Sequence, residues 1–144
     1  MFRYMSLRKI VLFIVGNYLA LSAISSPLSA QETANKSIHL VIDYNDGVQK
    51  YFTKIPWKDD MTVLDAMNFV QIRPHGITFT YTGQGETAFL TQIDDLENEG
   101  GGKDKKNWLY WVNGVFANTG FGNYRVQPAD TVLWKFDIWP EEEK

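Results

Sequence analysis

The chain has 144 residues, contains no cysteine, carries a formal net charge of −3 at pH 7 and is 15% aromatic. An acidic chain argues against nucleic acid or anionic lipid as the main partner. Since no disulfide can form, packing must stabilise the folded state.

The first 30 residues follow the order of a secretory signal peptide. Arg3, Arg8 and Lys9 make a basic start without acids, "IVLFIVGNYLAL" supplies an apolar core, and "SSPLSA" ends in small residues. An uncleaved membrane anchor is the alternative, but a bilayer span needs about 20 apolar residues. The apolar run here is shorter, and Asn17 interrupts it. We therefore expect residues 1–30 to be removed and the protein to be secreted or periplasmic, without a stable membrane anchor.

The mature chain, residues 31–144, has the size of one domain. Its charge would be −6 rather than −3, because the removed segment contains three basic residues and no acid. Residues 31–37, "QETANKS", form a polar lead-in that we expect to be flexible. Residues 38–139 would hold the folded domain, and residues 140–144, "PEEEK", a charged tail.

The folded part begins with a predicted β-hairpin. "IHLVIDY" alternates apolar and polar residues, which is the periodicity of a strand. Asp46-Gly47 supplies a turn with positive φ, and "VQKYFT" returns as the second strand.

The next segment, "DDMTVLDAMNFVQI", has the periodicity of a helix. Thr62 is suited to the N-cap, and Asp65 three positions later is a short version of the capping-box acid. Pro74 and Gly76 are expected to end the helix. Its apolar face consists of Val63, Ala66, Met67 and Val70.

The rest of the chain is predicted to form strands. "ITFTYT" and "TAFLTQI" flank the turn "GQGE", "WLYWVNGVFA" is a hairpin around Asn113-Gly114, and "TVLWKFDIW" closes the sheet. "DDLENEGGGKDKK" is a charged, glycine-rich loop. This order predicts an α+β fold: a β-grasp-like mixed sheet packed on a single helix, preceded by the signal peptide.

One helix covers only one face of a sheet, so the other face needs a separate explanation. The strand "WLYWV" sends Trp108, Tyr110 and Val112 to the face that packs on the helix. The face without a helix receives Leu109, Trp111 and Asn113. Aromatic surface left exposed there would mark a binding site.

The alternative is that a later segment folds back and covers this face. "FANTGFGNYRV" contains Phe116, Phe121 and Tyr124, which could fill the space from within the chain. Both arrangements stay open at this point, and we expect some of these aromatic residues to contact a ligand.

Four segments together resemble a known family. "MTVLDAM", "FLTQIDDL", "NWLYWVNG" and "YRVQPADTVLWKF" are similar to the DUF4430 domain, also described as the transcobalamin C-terminal-like domain. Its usual pattern has a helix opening on Thr-Val-Leu-Asp-Ala, a Trp-x-x-x-Val-Asn-Gly hairpin and Pro-Gly-Asp before the last strand. The resemblance runs from about Ile38 to Trp139. One departure is Ala129, where the family commonly has glycine; Asp130 remains to cap that turn.

The resemblance implies a β-grasp fold and kinship with the small domain of vertebrate cobalamin carriers, which covers the upper face of the corrin ring. In those carriers the contacts come from the segment before the middle strand and from the Trp hairpin. The positions that match them here are Thr87, Ala88, Phe89, Leu90, Trp108, Tyr110, Trp111, Asn113, Gly114, Val115 and Phe116.

Catalytic chemistry finds little support in the sequence. There is no cysteine, and His39 and His75 lack the Ser and Asp neighbours of a catalytic triad. We therefore expect no enzymatic activity and no catalytic residues.

The acidic loop offers oxygen donors for a cation, in the residues Asp94, Asp95, Glu97, Asn98, Glu99 and Asp104. They lack the alternating spacing and closing acid of a calcium loop. Lys103, Lys105 and Lys106 balance the acids, so a solvated loop is favoured over a metal site. We expect no metal and no intrinsic cofactor.

The sequence thus predicts an exported, non-catalytic domain that binds a small molecule, with a corrinoid such as cobalamin as the candidate ligand. Phe89, Trp108, Tyr110, Trp111 and Phe116 would contact the corrin ring. The alternative is a cell-envelope or extracellular protein-interaction module whose aromatic sheet face binds another protein.

Overall fold

The computed structural model describes residues 36–140. The predicted signal peptide, most of the lead-in (residues 31–35) and residues 141–144 of the tail lie outside this part of the chain. Between residues 36 and 140, no helix is long and apolar enough to cross a membrane.

The described residues form eight strands and one α-helix. The elements in chain order are β1 (Ser37–Asp43), β2 (Gln49–Pro56), α1 (Val63–Gln71), β3 (Phe79–Thr82), a 3₁₀ turn (Gly85–Thr87), β4 (Phe89–Ile93), β5 (Leu96–Glu97), β6 (Lys106–Val112), β7 (Val115–Phe116) and β8 (Thr131–Ile138). This mixed, sheet-dominated architecture confirms the predicted α+β class.

A five-stranded sheet organises the domain, with strand order β2-β1-β8-β6-β7. Its two central strands, β1 and β8, are parallel, with Leu40 beside Val132 and Ile42 beside Trp134. All other neighbours in this sheet are antiparallel. The first and last strands of the domain therefore pair at the centre of the sheet.

A second sheet, of order β3-β4-β5, departs from the predicted single sheet. The segment "DDLENEGGGKDKK" was predicted as a loop throughout, but Leu96 and Glu97 pair with Ile93 and Gln92. The reversal takes only two residues, and the first of them, Asp94, has a φ of 48°. A tight turn of this kind lets the start of the loop return as a strand.

Asn98 is hydrogen-bonded to strands of both sheets. Its Nδ2 donates to the carbonyl of Leu90 on β4 at 2.7 Å, and its Oδ1 accepts from the main-chain N–H of Trp108 on β6 at 2.8 Å. The main-chain N–H groups of Asn98 and Glu99 donate to the carbonyls of Thr91 on β4 and Lys106 on β6, each at 2.9 Å. Residues 98–99 thus supply partners to main-chain groups of both strands. β4 and β6 lie side by side without forming a ladder.

The first hairpin is confirmed with a small shift in its turn. β1 and β2 are antiparallel, and the residues with positive φ are Asn45 (56°) and Gly47 (96°). The carboxylates of Asp43 and Asp46 accept from the main-chain N–H groups of Asn45 (2.8 Å) and Val48 (2.9 Å). Asp46 therefore supports the turn through its side chain, as Asp commonly does.

The start of α1 has the predicted capping box. The main-chain N–H of Asp65 donates to Thr62 Oγ1 at 3.2 Å, and the N–H of Thr62 donates to Asp65 Oδ2 at 2.9 Å. The helix ends at Gln71, ahead of Pro74. The apolar face is buried as predicted, in the residues Val63, Ala66, Met67 and Val70.

The core lies between α1, one face of the five-stranded sheet and the small sheet. Trp108, Trp134 and Phe136 are buried on that face, as their alternation predicts. Leu90 and Ile93 from β4 join the same cluster. The helix is therefore not the only cover, since the small sheet shares this role.

The segment after β7 folds back over the start of the helix. The N–H groups of Val63 and Leu64 in the first turn of α1 donate to the carbonyls of Tyr124 (3.0 Å) and Phe121 (3.2 Å). Phe121 is buried in the core and Tyr124 packs against it. Both residues therefore pack on the helix side of the sheet, against Trp134 and Tyr110, and the prediction that they cover the face without a helix is wrong. Phe116 lies on β7.

Candidate functional site

A cleft of about 270 Å³ opens at the edge of the five-stranded sheet, beyond β6. β7 pairs with β6 only at Trp111 and Val112, so the earlier part of β6 has no partner strand on that side. The 3₁₀ turn, β4 and the segment after β7 form the remaining walls. The residues lining the cleft are Glu86, Thr87, Ala88, Phe89, Leu90, Trp108, Leu109, Tyr110, Phe116, Ala117, Asn118, Thr119, Gly120, Phe121, Trp134 and Trp139.

Hydrogen bonds to β6 hold one wall in place. The hydroxyl of Tyr110 donates to the carbonyl of Thr119 at 2.8 Å. The main-chain N–H of Ala117 donates to the carbonyl of Tyr110 at 3.0 Å. Residues 117–119 are thereby fixed to a strand of the main sheet, so this wall is preformed.

A glycine allows the two walls to meet at the far end of the cleft. A Cβ atom on Gly120 would lie 2.1 Å from the carbonyl oxygen of Glu86, a distance that no side chain could tolerate. Only glycine permits this contact between the fold-back segment and the 3₁₀ turn.

The floor and the rim of the cleft differ in exposure. The floor is made of buried side chains, among them Leu90, Tyr110 and Trp134. On the rim, Phe89 is 50% exposed and Trp139 53% exposed. Phe116 is half-buried, and its ring packs edge-on against that of Trp139 with centroids 5.0 Å apart. A buried, largely aromatic floor with exposed aromatic rings at the rim is a combination common in small-molecule sites.

The cleft is lined by few charged side chains. Of the described residues that line it, only Glu86 carries a formal charge, and its Oε1 accepts from Asn123 Nδ2 at 3.3 Å. Burial, with a smaller contribution from Tyr124, raises the pKa of the Tyr110 phenol above its usual range. The hydroxyl, which is protonated at neutral pH even without this rise, therefore remains a donor to Thr119 into alkaline pH.

Seven of the eleven predicted site residues line the cleft. They are Thr87, Ala88, Phe89, Leu90, Trp108, Tyr110 and Phe116. The structure brings them together from three separate stretches of chain, although their roles as ligand contacts remain predictions. The other four do not line it: Trp111, Asn113, Gly114 and Val115.

Asn113 has a structural position instead. Its Nδ2 donates to Asp130 Oδ1 at 2.7 Å, and its Oδ1 accepts from the N–H of Thr131 at 2.9 Å. Asn113 and Gly114 both have positive φ (51° and 80°), as the predicted turn requires. The side-chain amide is thus occupied in joining the β6–β7 turn to the start of β8, and Val115 projects into solvent.

The face without a helix carries a row of apolar side chains across the whole sheet. Strand register places Tyr51 beside Val41, Val41 beside Leu133, Leu133 beside Trp111 and Trp111 beside Phe116. Tyr51 is exposed and the other four are half-buried. The expected exposure of this face is therefore present but moderate.

Leu109 differs from that expectation. It points to the face without a helix, yet it is 4% exposed. It lines the cleft where Phe116 and Trp139 also lie, so residues at the end of the sheet cover it. The cleft lies beyond the edge of the sheet, so side chains from both faces line it. Strand alternation only assigns residues to one face or the other, and it therefore did not locate the cleft.

The sequence did not point to several other residues of the lining. Trp139 follows the end of β8, and its neighbours in the chain give no sign that it lies at the cleft. Trp134 belongs to the core and also forms part of the floor of the cleft. Asn118, Thr119 and Gly120 carry no distinctive signal beyond the small and polar composition of a loop.

The acidic loop contains a clamp between the two sheets. Asp94 Oδ2 accepts from Tyr44 Oη and from Lys50 Nζ (2.8 Å), while Asp94 Oδ1 accepts from the N–H of Thr78 at 2.8 Å. Burial alone would raise the pKa of Asp94, but hydrogen bonds from Lys50, Tyr44 and Thr78 outweigh it and hold the pKa below its usual range. Between residues 36 and 140, no group of three or more His, Asp or Glu side chains could hold a metal ion.

The fold and the cleft define a small, sheet-dominated α+β domain with an aromatic site at its sheet edge. The chain belongs to the family DUF4430, a domain of unknown function, which matches it over residues 60–137. This confirms the family resemblance seen in the sequence.

Comparison with curated proteins gives no match. Among solved structures, the fold is similar to a protein from Ruminococcus gnavus ATCC 29149 described as a "putative metal binding protein", with a TM-score of 0.52. The two share 16% sequence identity, and the similarity covers 73% of this chain and 99% of the other. At this identity the likeness concerns the fold alone.

Proposed function

We propose that this protein is an exported, non-catalytic domain that binds a flat, amphipathic small molecule in the cleft beside β6. The observation that carries the proposal is the contrast between a buried aromatic floor and the half-open rings of Phe89, Phe116 and Trp139. Rings of this kind bury large apolar areas with little loss of side-chain freedom. The hydrogen bonds from Tyr110 and Ala117 mean that little ordering is needed on binding.

The strand order supports a β-grasp assignment for the fold. The central parallel pair β1 and β8, with a hairpin strand on one side and a single helix across the face, is the arrangement expected of that class. A β-grasp domain is also what kinship with the small domain of the cobalamin carriers implies.

A corrinoid is the candidate ligand, on the strength of that kinship. Seven positions that match the carriers' contacts lie together around the cleft. A whole corrinoid is larger than about 270 Å³, so only one edge or one amide arm would enter. The ring would then lie on the rim, against Phe89, Phe116 and Trp139, where an exposed aromatic patch has the character of a binding surface.

We also propose that the protein has no catalytic activity, no intrinsic metal and no nucleic-acid partner. The cleft offers Glu86 as its one charged side chain and no paired nucleophile and base among the described residues. The R. gnavus protein is described as metal-binding. For this chain, the proposal of no intrinsic metal is supported by residues 36–140, where no group of three or more His, Asp or Glu side chains could hold a metal ion.

Tryptophan fluorescence tests the proposal. Titration with cobinamide up to high micromolar concentration should quench the emission of the mature protein, because Trp108, Trp134 and Trp139 line the cleft. N-acetyltryptophanamide in the same cuvette geometry corrects for absorption by the corrinoid.

Two variants make the result specific to the cleft. Phe89→Ala removes an exposed rim ring and should weaken binding, whereas Tyr51→Ala removes a similarly exposed ring outside the cleft and should not. Unchanged emission at saturating probe, or equal effects of the two variants, would reject the corrinoid site.

The row from Tyr51 to Phe116 favours a second candidate, a module that binds another envelope or extracellular protein. A photo-crosslinking amino acid at position 111 should then form an adduct in envelope extracts. The same group at position 72, an exposed position directly after α1, should not. Adducts at both positions or at neither would count against this candidate.

A further inference from the structure

The outer edge of β2 is open, on the side of the five-stranded sheet away from the cleft. β2 is the first strand in the order β2-β1-β8-β6-β7, so only β1 pairs with it. The main-chain N–H of Tyr44 donates to the carbonyl of Val48 at 3.1 Å, which sets the alternation of hydrogen bonds along the hairpin. Bonds to β1 therefore come from every second residue of β2, namely Lys50 and Phe52.

The residues between them offer main-chain groups to a further strand. By the same alternation, the N–H and C=O groups of Gln49 and Tyr51 point away from β1. Between residues 36 and 140, no residue bonds to these four groups. Gln49 is exposed and Tyr51 is 64% exposed, so this edge is open to solvent. An open strand edge readily pairs with an extended chain.

A groove of about 290 Å³ runs along this edge, between β2 and α1. Residues 51–55 form one wall, and Phe69, Val70 and Arg73 form the other. The guanidinium of Arg73 lies over the ring of Phe69, 4.1 Å from its centroid. This cation–π contact holds the positive charge at the wall of the groove.

The charged side chains of the groove are all positive. They belong to Lys54 and Arg73, both of which are exposed. Neither forms an ion pair with another residue of the described part of the chain. The protein as a whole is acidic, with a net charge of −3. A cationic groove in an acidic protein favours an anionic occupant.

A bulge in β2 limits the length of that occupant. Lys54 has a φ of 60°, and the register with β1 shifts at this point. Bulges and lysines commonly protect edge strands against pairing with other sheets. Here both lie at the end of the open stretch, so the edge admits a short segment and not a long strand. A second copy of β2 is disfavoured, because it would place two cationic grooves side by side.

From these observations we propose that the β2 edge binds a short, extended peptide segment of a partner protein, with an Asp or Glu side chain directed at Lys54 and Arg73. Main-chain hydrogen bonds to Gln49 and Tyr51 hold the segment as an added strand, and the two cations select an acidic side chain. This site lies at the opposite edge of the sheet from the cleft. It is therefore a second binding function that does not depend on the small-molecule ligand.

A model peptide tests the added strand directly. The probe is acetyl-Thr-Val-Glu-Val-Glu-Val-Thr-amide, which places its acids on one face. In ¹⁵N-labelled protein it should slow amide hydrogen exchange at Gln49 and Tyr51 and move their N–H signals downfield, because both groups gain acceptors. The amides of Lys50 and Phe52, already bonded to β1, should change much less. Uniform changes along β2, or none, would overturn the proposal.

Two altered peptides separate the main chain from the charge. N-methylation of the five central residues keeps both glutamates but blocks strand pairing, so this peptide should not bind. Replacement of both glutamates by glutamine should weaken binding roughly tenfold, since each exposed ion pair contributes at most about fivefold. That difference should shrink in about 1 M salt. Equal binding of the N-methylated peptide would reject strand addition, and equal binding of the glutamine peptide would reject selection of an acid.

Charge variants of the protein locate the acidic side chain. The double variant Lys54→Gln/Arg73→Gln should bind the glutamate peptide about tenfold more weakly. Lys105→Gln removes an exposed lysine of the acidic loop, outside the groove, and should change the affinity less than about twofold. Equal losses in the two proteins would mean that only net charge matters. The peptide comparison in the unmodified protein decides even if the double variant does not fold.

Two further measurements separate the β2 site from other occupants and from the cleft. Sedimentation equilibrium without peptide should show a monomer, whereas a dimer that the peptide dissociates would assign the edge to a second copy and overturn the proposal. Saturating cobinamide should leave the peptide affinity unchanged, and competition between the two would place the peptide in the cleft instead.

Discussion

The main-chain N–H of Trp108 donates to the side-chain oxygen of Asn98 at 2.8 Å, not to a neighbouring strand. The amide nitrogen of Asn98 in turn donates to the carbonyl of Leu90 at 2.7 Å. Main-chain bonds from Asn98 N–H to Thr91 and from Glu99 N–H to Lys106 join the same two strands, so residues 98–99 bridge β4 and β6. Both strands contribute residues to the cleft.

Asn98→Ala should destabilise the domain by about 2 kcal/mol, since it leaves two main-chain groups of β4 and β6 without partners. The free energy of unfolding from urea titration measures this. Asn68→Ala is the matched control: Asn68 is exposed on α1, and its replacement by alanine, a better helix former, should change stability by no more than about 0.5 kcal/mol. Similar losses in the two variants would show that Asn98 does not bridge the strands.

Removing the Tyr110 hydroxyl should reduce stability less than removing the Asn98 side chain. Tyr110→Phe should cost about 1 kcal/mol and loosen residues 117–119, because the bond to the Thr119 carbonyl is lost while the ring stays in place. Hydrogen exchange should accelerate at Ala117 and Asn118 more than in the rest of the sheet. Tyr51→Phe, which removes an exposed hydroxyl bonded to Gln49, should leave both quantities unchanged.

Ala129 stores backbone strain that glycine would remove. Its φ is 71°, in the left-handed region, and the family commonly has glycine at this position. Ala129→Gly should stabilise the domain by roughly 0.5–1 kcal/mol, the strain relieved less the entropy that glycine adds to the unfolded chain.

The opposite change at Gly114 is the natural comparison for Ala129. Gly114 has a φ of 80° and open space around its Cα, so Gly114→Ala adds strain without a clash. It should destabilise the domain by about 1 kcal/mol. Thermal and urea unfolding of the two variants should therefore shift in opposite directions, and shifts of the same sign would refute the strain argument.

Features set by short stretches of chain were predictable from the sequence. The capping pair of Thr62 and Asp65, the buried face of α1 and the positive φ of Asn113 each depend on a few adjacent residues. The family resemblance then placed Phe89 and Phe116 in one site, which strand alternation could not do.

Features set by distant contacts were not predictable. The role of Asn98 depends on Leu90 and Trp108 meeting across two sheets, and nothing in a charged, glycine-rich loop marks one asparagine for it. Trp139 reaches the cleft because β8 pairs with β6, so its position follows from the register of the whole sheet. Strand alternation can only point to a site on one face of a sheet, whereas this cleft lies beyond the edge of the five-stranded sheet.

Acid should weaken the clamp at Asp94. The pKa of this carboxyl is below 3.8 in the folded protein, so the unfolded chain binds its proton first as the pH falls. The contribution of the clamp is complete above the unfolded pKa and is lost as the pH falls through the folded value. The free energy of unfolding should therefore hold steady from pH 7 to about pH 5 and decline below about pH 4.

Asp94→Asn isolates the contribution of that carboxylate. The variant keeps a side chain of the same size but loses the ion pair with Lys50, so it should be less stable at pH 7 by about 1–2 kcal/mol. Its stability should fall less steeply below pH 4 than that of the unmodified protein. Asp137, whose pKa is also held low by bonds from Lys135 and Ile138, accounts for part of the remaining slope. Parallel pH profiles for variant and parent would rule out the clamp as the source.

Gly120 tests whether the cleft must be closed at its far end. A methyl group there would lie 2.1 Å from the Glu86 carbonyl oxygen, so Gly120→Ala must push the fold-back segment away from the 3₁₀ turn. We expect a loss of about 1–3 kcal/mol in stability and, because Phe121 in the floor follows directly, a marked loss of cobinamide quenching. Gly101→Ala, at an open position in the acidic loop without positive φ, should alter neither. A stable Gly120→Ala protein that still binds the probe as tightly as the parent would show that this contact does not shape the site.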